Sequence, residues 1–407
     1  MTQQHQSDGG SAPGGSSRAW LAVSAYVFLI TMTGTTLPTP LYAIYQAEWG
    51  ISPLASTVVF ATYAVGVIAA LVLLGRSSDV AGRRPLLAVG LAFSALSAGV
   101  FLLADGLGWL LVGRLLSGLS AGVFTGTATT ALVELAGRTR GGPSRRTASL
   151  LATAVNMMGL GAGPLLAGVL AEWAPAPLRT PYLVHLLLLV PAAVGLWRLP
   201  ETVRATGRLR ITPLRPTVPA GVRPAFVAAS LAGFAGFATL GLFTAVEPRF
   251  LAQVLGVESH LAAGAVVCAI FVASTLAQVA SARVTSRTAL PLGCAALVLG
   301  MALVVTSLLT SNLVVLVVGS VVAGAGQGTS FRAGVEAVTS RTPAESGGAV
   351  VSTLFVVLYV AISLPVVGVG LLAAAAGIVQ AAVVFAVVVA VLALLAVVRL
   401  LRTPATA

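Results

Sequence analysis

Apolar residues along this chain come in long, nearly unbroken blocks, separated by short joints rich in glycine, proline and arginine. Trp20–Met32, Pro53–Leu74, Leu86–Ala104, Thr147–Ala171, Tyr182–Leu199 and Gly377–Leu400 hold few or no ionisable residues. A hydrocarbon core of about 30 Å takes roughly 20 helical residues to cross, so blocks of this length read as membrane-spanning helices. On that measure the chain divides into twelve predicted spans. The first six cover residues 18–41, 52–74, 84–104, 108–135, 147–171 and 179–199; the second six cover 223–250, 259–282, 289–309, 312–335, 347–371 and 376–401.

The arginines give an independent reading of that count, because joints on the cytoplasmic side collect basic residues. With the N-terminus inside, 20 arginines fall at cytoplasmic joints or tails, only Arg179 and Arg249 fall outside, and Arg114 lies within the fourth span. Both termini are therefore predicted to be cytoplasmic, in a multi-pass protein of the cytoplasmic membrane. The longest polar joint carries Arg204, Arg208, Arg210 and Arg215 among Pro213, Pro216 and Pro219. The predicted organisation is a disordered tail over 1–17, a six-helix bundle over 18–200, a cytoplasmic linker over 201–222 and a second six-helix bundle over 223–402. The fold class is all-α.

The two halves repeat. Leu111–Gly122 laid over Val317–Gly328 matches Gly113 with Gly319, Gly118 with Gly324 and Gly122 with Gly328, and Pro164 in the fifth span matches Pro365 in the eleventh. A parallel duplication with Gly- and Pro-marked helices is a transporter pattern, with the solute site at midplane between two rocking halves.

Composition agrees with this picture and removes others. The 407 residues are 57% hydrophobic and 8% charged, against about a quarter charged in soluble domains. A net charge of +12 would point to nucleic acid in a soluble protein; here its placement follows membrane orientation, and no nucleic-acid partner is predicted. Cys268 and Cys294 lie apart in apolar runs, where small core residues are the ready reading. The N-terminal tail is too polar for a signal peptide, and the first apolar run lacks an A-x-A site, so it reads as an uncleaved span. There is no H-E-x-x-H helix and no P-loop. The chain is not predicted to be an enzyme, and neither metal nor cofactor is expected.

Four motifs carry the functional reading. Between the second and third spans stands Gly75-Arg-Ser-Ser-Asp79-Val-Ala-Gly82-Arg83-Arg84-Pro85. Its glycines allow tight turns, and Asp79 places an anion where the N-terminus of the eleventh helix, near Ser346–Gly348, offers a positive dipole end. The fourth span holds Gly113-Arg114 with Gly118 and Gly122, and an arginine there either faces a partner or water-filled cavity or snorkels to the external interface. The fifth span carries Asn156 and then Gly159, Gly161, Gly163-Pro164 and Ala167-Gly168, a spacing that lets it pack closely on the eighth or eleventh helix. The sixth ends in Leu199-Pro200-Glu201-Thr202, which speaks to topology.

Together these residues resemble the major facilitator superfamily, over residues 18–402, and most closely its twelve-helix drug and metabolite proton antiporters. The resemblance implies a gating loop of Gly75, Asp79, Gly82, Arg83 and Arg84, with Arg83 paired to Glu134 and the halves tied together in the outward-facing state. It also implies an antiporter motif of Gly159, Gly163, Pro164 and Gly168, hence proton-driven efflux of a small solute. Two departures stand out: Ala167 replaces a glycine, and the first span has no carboxylate, which argues against a cation-selective site. Arg114, Asn156, Glu247 and Gln327 are the candidates for solute or proton coupling, with Tyr359 a further cavity candidate and His185 a weaker one. Glu247-Pro248-Arg249 is expected to pair internally. Proton-coupled uptake of a sugar or organic acid and a non-transporting sensor are the competing readings. The expected partners are a small solute, protons and the bilayer, for a monomer.

Overall fold

The computed structural model describes residues 17–75, 77–139, 142–203, 207, 213, 217–343 and 345–402, with the side chains of Ser17 and Asp79 not included. Residues 1–16 of the predicted N-terminal tail, Arg76 and the linker residues Arg204, Arg208, Arg210 and Arg215 lie outside the described residues, while Ser17 already belongs to the first helix. Among the described residues, twelve helices are long and apolar enough to cross a membrane: α1 (Ser17–Thr36), α2 (Pro53–Leu74), α3 (Arg83–Leu102), α4 (Leu107–Arg138), α5 (Arg145–Trp173), α6 (Thr180–Arg198), α7 (Arg223–Ala245), α8 (His260–Ala280), α9 (Ser286–Thr310), α10 (Leu313–Thr339), α11 (Gly347–Ala376) and α12 (Ile378–Leu401). No strand occurs among the described residues. In lipid each backbone amide must find its partner within the protein, and a continuous helix supplies it locally. An even number of crossings puts the start of α1 and the end of α12 on one side, the terminal side.

Helix starts follow capping chemistry. Ser52, Ser144 and Ser259 accept from the amides of Ala55, Thr147 and Ala262, and Asn312 accepts from Val314 and Val315, satisfying donors that would otherwise be orphaned.

Two spans end about five residues short of expectation, the others within one or two residues of it or beyond it. The first stops at Thr36 rather than 41, because Pro38 and Pro40 cannot continue a helical ladder, and the chain restarts as the short helix Tyr42–Trp49. The seventh stops at Ala245 rather than 250. After the break at Val246, Pro248 sits in the first turn of a separate short helix, Glu247–Val254, where a missing amide costs nothing.

Helices α1–α6 pack chiefly on one another, as do α7–α12, and the two groups meet along α5 with α8 and α2 with α11. Glycines show the repeat. A Cβ on Gly118 or Gly122 would strike the backbone of α2 at Tyr63 or Val67, and one on Gly324 or Gly328 would strike α8 at Ile270 or Ser274. Gly113 meets Phe101 of α3 while Gly319 meets Leu303 of α9. Matched glycines thus lie against matched helices in the two halves.

A central cavity and a network at its rim

Between the two groups of helices lies a cavity of about 690 Å³. At the terminal side its wall is polar, with the exposed Arg146 and Ser149 of α5 and Glu336 and Thr339 of α10 beside the half-buried Arg332. Towards the opposite side its wall is buried, ending among Thr35 and Thr36 of α1, Arg114 of α4 and Leu240 and Thr244 of α7. Among the described residues the cavity is thus exposed at the terminal side and closed by buried residues at the other.

Of the expected site residues, Arg114 and Asn156 lie on this wall. Arg114 does not snorkel: it is 2% exposed, its Nη1 donates to the Thr35 carbonyl at 2.5 Å, and its guanidinium carbon stands 4.7 Å from the Tyr63 ring centre and 5.3 Å from that of Phe60. Nε has no partner. Asn156 Oδ1 is likewise buried without a partner. Tyr359 is on the wall, but Gln327 is behind it. Its Oε1 accepts from Ser274 Oγ at 2.6 Å, and it packs on Gly236 of α7. Gln278, one turn along α8 from Ser274, takes the wall position instead. His185 is also off the wall, buried in the first group of helices with Nε2 3.2 Å from Ser94 Oγ.

Glu247 corrects another expectation. It is 0% exposed and neither carboxyl oxygen has a hydrogen-bond partner, while Arg249 donates to Gln253 at 2.9 Å. The internal Glu247–Arg249 pair is absent because Pro248 starts a helical turn that sends the two side chains apart. Burial pushes the Glu247 carboxyl well above the usual carboxylate range.

The glycines of α5 face two ways. A Cβ on Gly159 or Gly163 would strike α1 at Leu29 or Thr33, whereas Gly168 lies against His260 of α8. So α1 and α8 are the close neighbours, and α11 is not. Pro164 has no amide to give to Leu160, four residues earlier. Thr36 of α1 fills that gap, donating to the Leu160 carbonyl at 2.7 Å. At the far end of α5, Glu172 accepts from the amide of His260 at 2.9 Å and so caps α8 from the other group of helices.

At the terminal side Arg83 and Glu134 form an ion pair at 3.0 Å. Arg83 also donates to Ser78 at 2.6 Å, and Thr202 donates to Glu134 at 2.5 Å. Asp79 belongs to the short helix Ser77–Ala81, but its side chain lies outside the described ones. Glu201, read in the sequence for topology alone, has a structural role on this side. Its carboxylate accepts from the amides of Arg83 (2.9 Å) and Arg84 (3.0 Å), capping α3 from across the bundle, and Arg138 donates to the Glu201 and Thr202 carbonyls. Partial burial works against its charge, but the amides of Arg83, Val203, Arg84 and Thr202 outweigh it and hold the carboxyl below its ordinary value. Gly82, at φ +99°, is the sharp turn that brings those amides to Glu201; a Cβ there would sit 2.7 Å from the carboxylate. Gly75 ends α2 as its C-cap.

A Major Facilitator Superfamily model matches residues 24–365. The chain belongs to the Major Facilitator Superfamily. Solved members share its architecture at low identity. A bacterial homologue of the human lysosomal transporter Spinster, inward-facing and unoccupied, superposes with a TM-score of 0.74 at 17% identity, covering 97% of this chain and 100% of that one. A mutant of the nucleoside transporter NupG gives 0.72 at 13% identity, covering 93% and 99%. No curated protein sequence matches the chain. This superfamily member is a multi-pass membrane protein with a transporter fold.

Proposed function

We propose that the protein is a secondary active transporter of the cytoplasmic membrane, exporting a small solute in exchange for protons by alternating access. The observation that carries this reading is a cavity between two six-helix groups, polar and open at one end and sealed at the other. The terminal side bears almost all of the arginines and is assigned to the cytoplasm on that ground, so this conformer faces inward; the Spinster homologue's inward-facing state has a similar architecture. Export is supported by the motif of α5, whose glycines and Pro164 seat α1 and α8 closely along the wall. The terminal-side network of Arg83, Glu134 and Glu201 fastens the short helix Ser77–Ala81, α3, α4 and the end of α6 into one body, the rigidity a rocking half needs. A proton site is offered by Glu247, three residues beyond the wall residue Thr244, with no partner to stabilise its charge.

The test is reconstitution into liposomes with an internal pH dye and a screen of solutes under imposed gradients. Solute and protons are expected to move in opposite directions. Movement in the same direction would overturn export in favour of uptake, and a broad library in which no solute moves would favour a sensor.

A further inference from the structure

We propose that the solute is an amphipathic organic monoanion with an aromatic body, its carboxylate bound by Arg114 and its rings by the aromatic wall opposite. This rests on reading the central cavity as the transport site, and three observations name the chemistry.

The first is charge. Among the described wall residues, Asp and Glu are represented by Glu336 alone, at the mouth, and Glu336 is paired with Arg332 at 2.6 Å. Arg146, also at the mouth, is bonded to the Ala282 carbonyl. Deep in the cavity Arg114 has no counter-ion among the described residues, and a cation at membrane depth is costly unless something compensates it.

The second is incomplete satisfaction. A guanidinium carries five N–H donors in a planar fork. Thr35 takes one, two ring faces cover the plane, and Nε remains unpartnered while buried. An edge of the fork is left for an acceptor, and carboxylate matches it in shape and charge.

The third is the other wall. Phe237, Phe331, Phe355 and Tyr359 form a closed circuit of rings, with centroid separations of 5.4 Å (237–331), 6.2 Å (331–355), 6.5 Å (355–359) and 6.5 Å (237–359). Tyr63 joins it from the first half at 6.2 Å from Tyr359, and that same ring lies on Arg114. Anion site and aromatic surface are thus contiguous through Tyr63, and a ligand carrying both groups spans them. The volume, about 690 Å³, is in the range that takes a drug-sized molecule.

The probes are aromatic carboxylates of two to four rings, each compared with its primary amide and its methylammonium analogue. Binding to the purified full-length protein is read by thermal stabilisation and calorimetry. Carboxylates are expected to bind about ten- to a hundredfold tighter than their amides, the margin of a charge-assisted contact, and ammonium analogues weakest. Arg114→Gln should erase the carboxylate preference and Arg114→Lys should keep part of it. Because Arg114 also holds Thr35, the isosteric Asn156→Asp serves as a second variant: added negative charge on the wall should weaken carboxylates and raise the ammonium compounds. Equal binding of acid and amide, preference for the cation, or no binding by any carboxylate would overturn the proposal, as would preferences unmoved in both Arg114→Gln and Asn156→Asp. Flux of the bound carboxylates in proteoliposomes is the separate arm. Arg114-dependent binding without flux would leave the anion site standing and remove the transport reading.

Discussion

Glu201 shows how one side chain can bind distant elements, and why its loss should be felt at the stability level first. Its carboxylate closes the amide end of α3 while its own backbone carbonyl is held by Arg138 of α4. Helix caps are worth about 0.5–2 kcal/mol, so Glu201→Gln, which keeps the shape and halves the acceptor strength, should cost about 1 kcal/mol in thermal unfolding of the detergent-solubilised protein. A carboxyl whose folded value lies below its unfolded value, near pH 4.3, contributes stability that is present above that pH. The contribution fades as pH falls through the lowered folded value. The wild-type melting temperature should therefore drop more steeply on acidification than that of Glu201→Gln, and parallel curves would remove this role. Nothing in the sequence around Glu201 announces the cap, because its partners at Arg83 and Arg84 are more than a hundred positions away. Arg114 and Asn156 were legible for the opposite reason: each is a polar residue in an apolar run. The phenylalanines facing them were not, since a phenylalanine in a membrane helix is the ordinary case.

For a whole helix, the question is how α5 tolerates Pro164 at its centre. The proline leaves the Leu160 carbonyl without its helical donor, and the Thr36 hydroxyl replaces it from α1 while Gly163 lets the two backbones approach. A buried acceptor stripped of its partner costs about 1–3 kcal/mol. Thr36→Val should cost that much in thermal stability. Pro164→Ala restores the helical amide, so in its presence the same Thr36→Val change should cost much less. A double-mutant cycle isolates the coupling, and additive effects would show that Thr36 and Pro164 act separately. The twelve helices themselves were readable because long apolar runs and one-sided arginines report membrane crossing directly. Their ends were less so: the stops at Thr36 and Ala245 depend on how the prolines at 38, 40 and 248 act on the local ladder, which hydropathy does not register.

Across the molecule, the proposed proton-driven export assigns Glu247, three residues beyond the wall residue Thr244 at the sealed end of the cavity, as the group through which outside acidity would act on the choice of conformer. Glu247 is buried without a partner, Arg249 beside it is engaged by Gln253, and burial keeps its carboxyl well above the ordinary range. In the conformer seen here burial therefore favours its neutral form. Opening the sealed side brings water to this end of α7 and returns the carboxyl towards its ordinary value near pH 4.3. The inward-open conformer then binds the proton more tightly, so acidity favours it. That preference is complete below the ordinary value and is lost progressively as pH rises towards the raised one. A cysteine at Thr244, with Cys268 and Cys294 replaced by alanine, reports the opening through labelling by a membrane-impermeant thiol reagent applied outside. Labelling should quicken as outside pH rises, after correction for the reagent's own pH dependence. Glu247→Gln, fixed in the neutral form, should label slowly at every pH. It should also retain solute-for-solute exchange while losing proton-driven export, because exchange needs only the solute-loaded conformers to interconvert, whereas coupling needs a group that gains and loses a proton during the cycle. A Glu247→Gln variant whose labelling still tracks outside pH as the wild type does would place the pH-sensing group elsewhere in the protein.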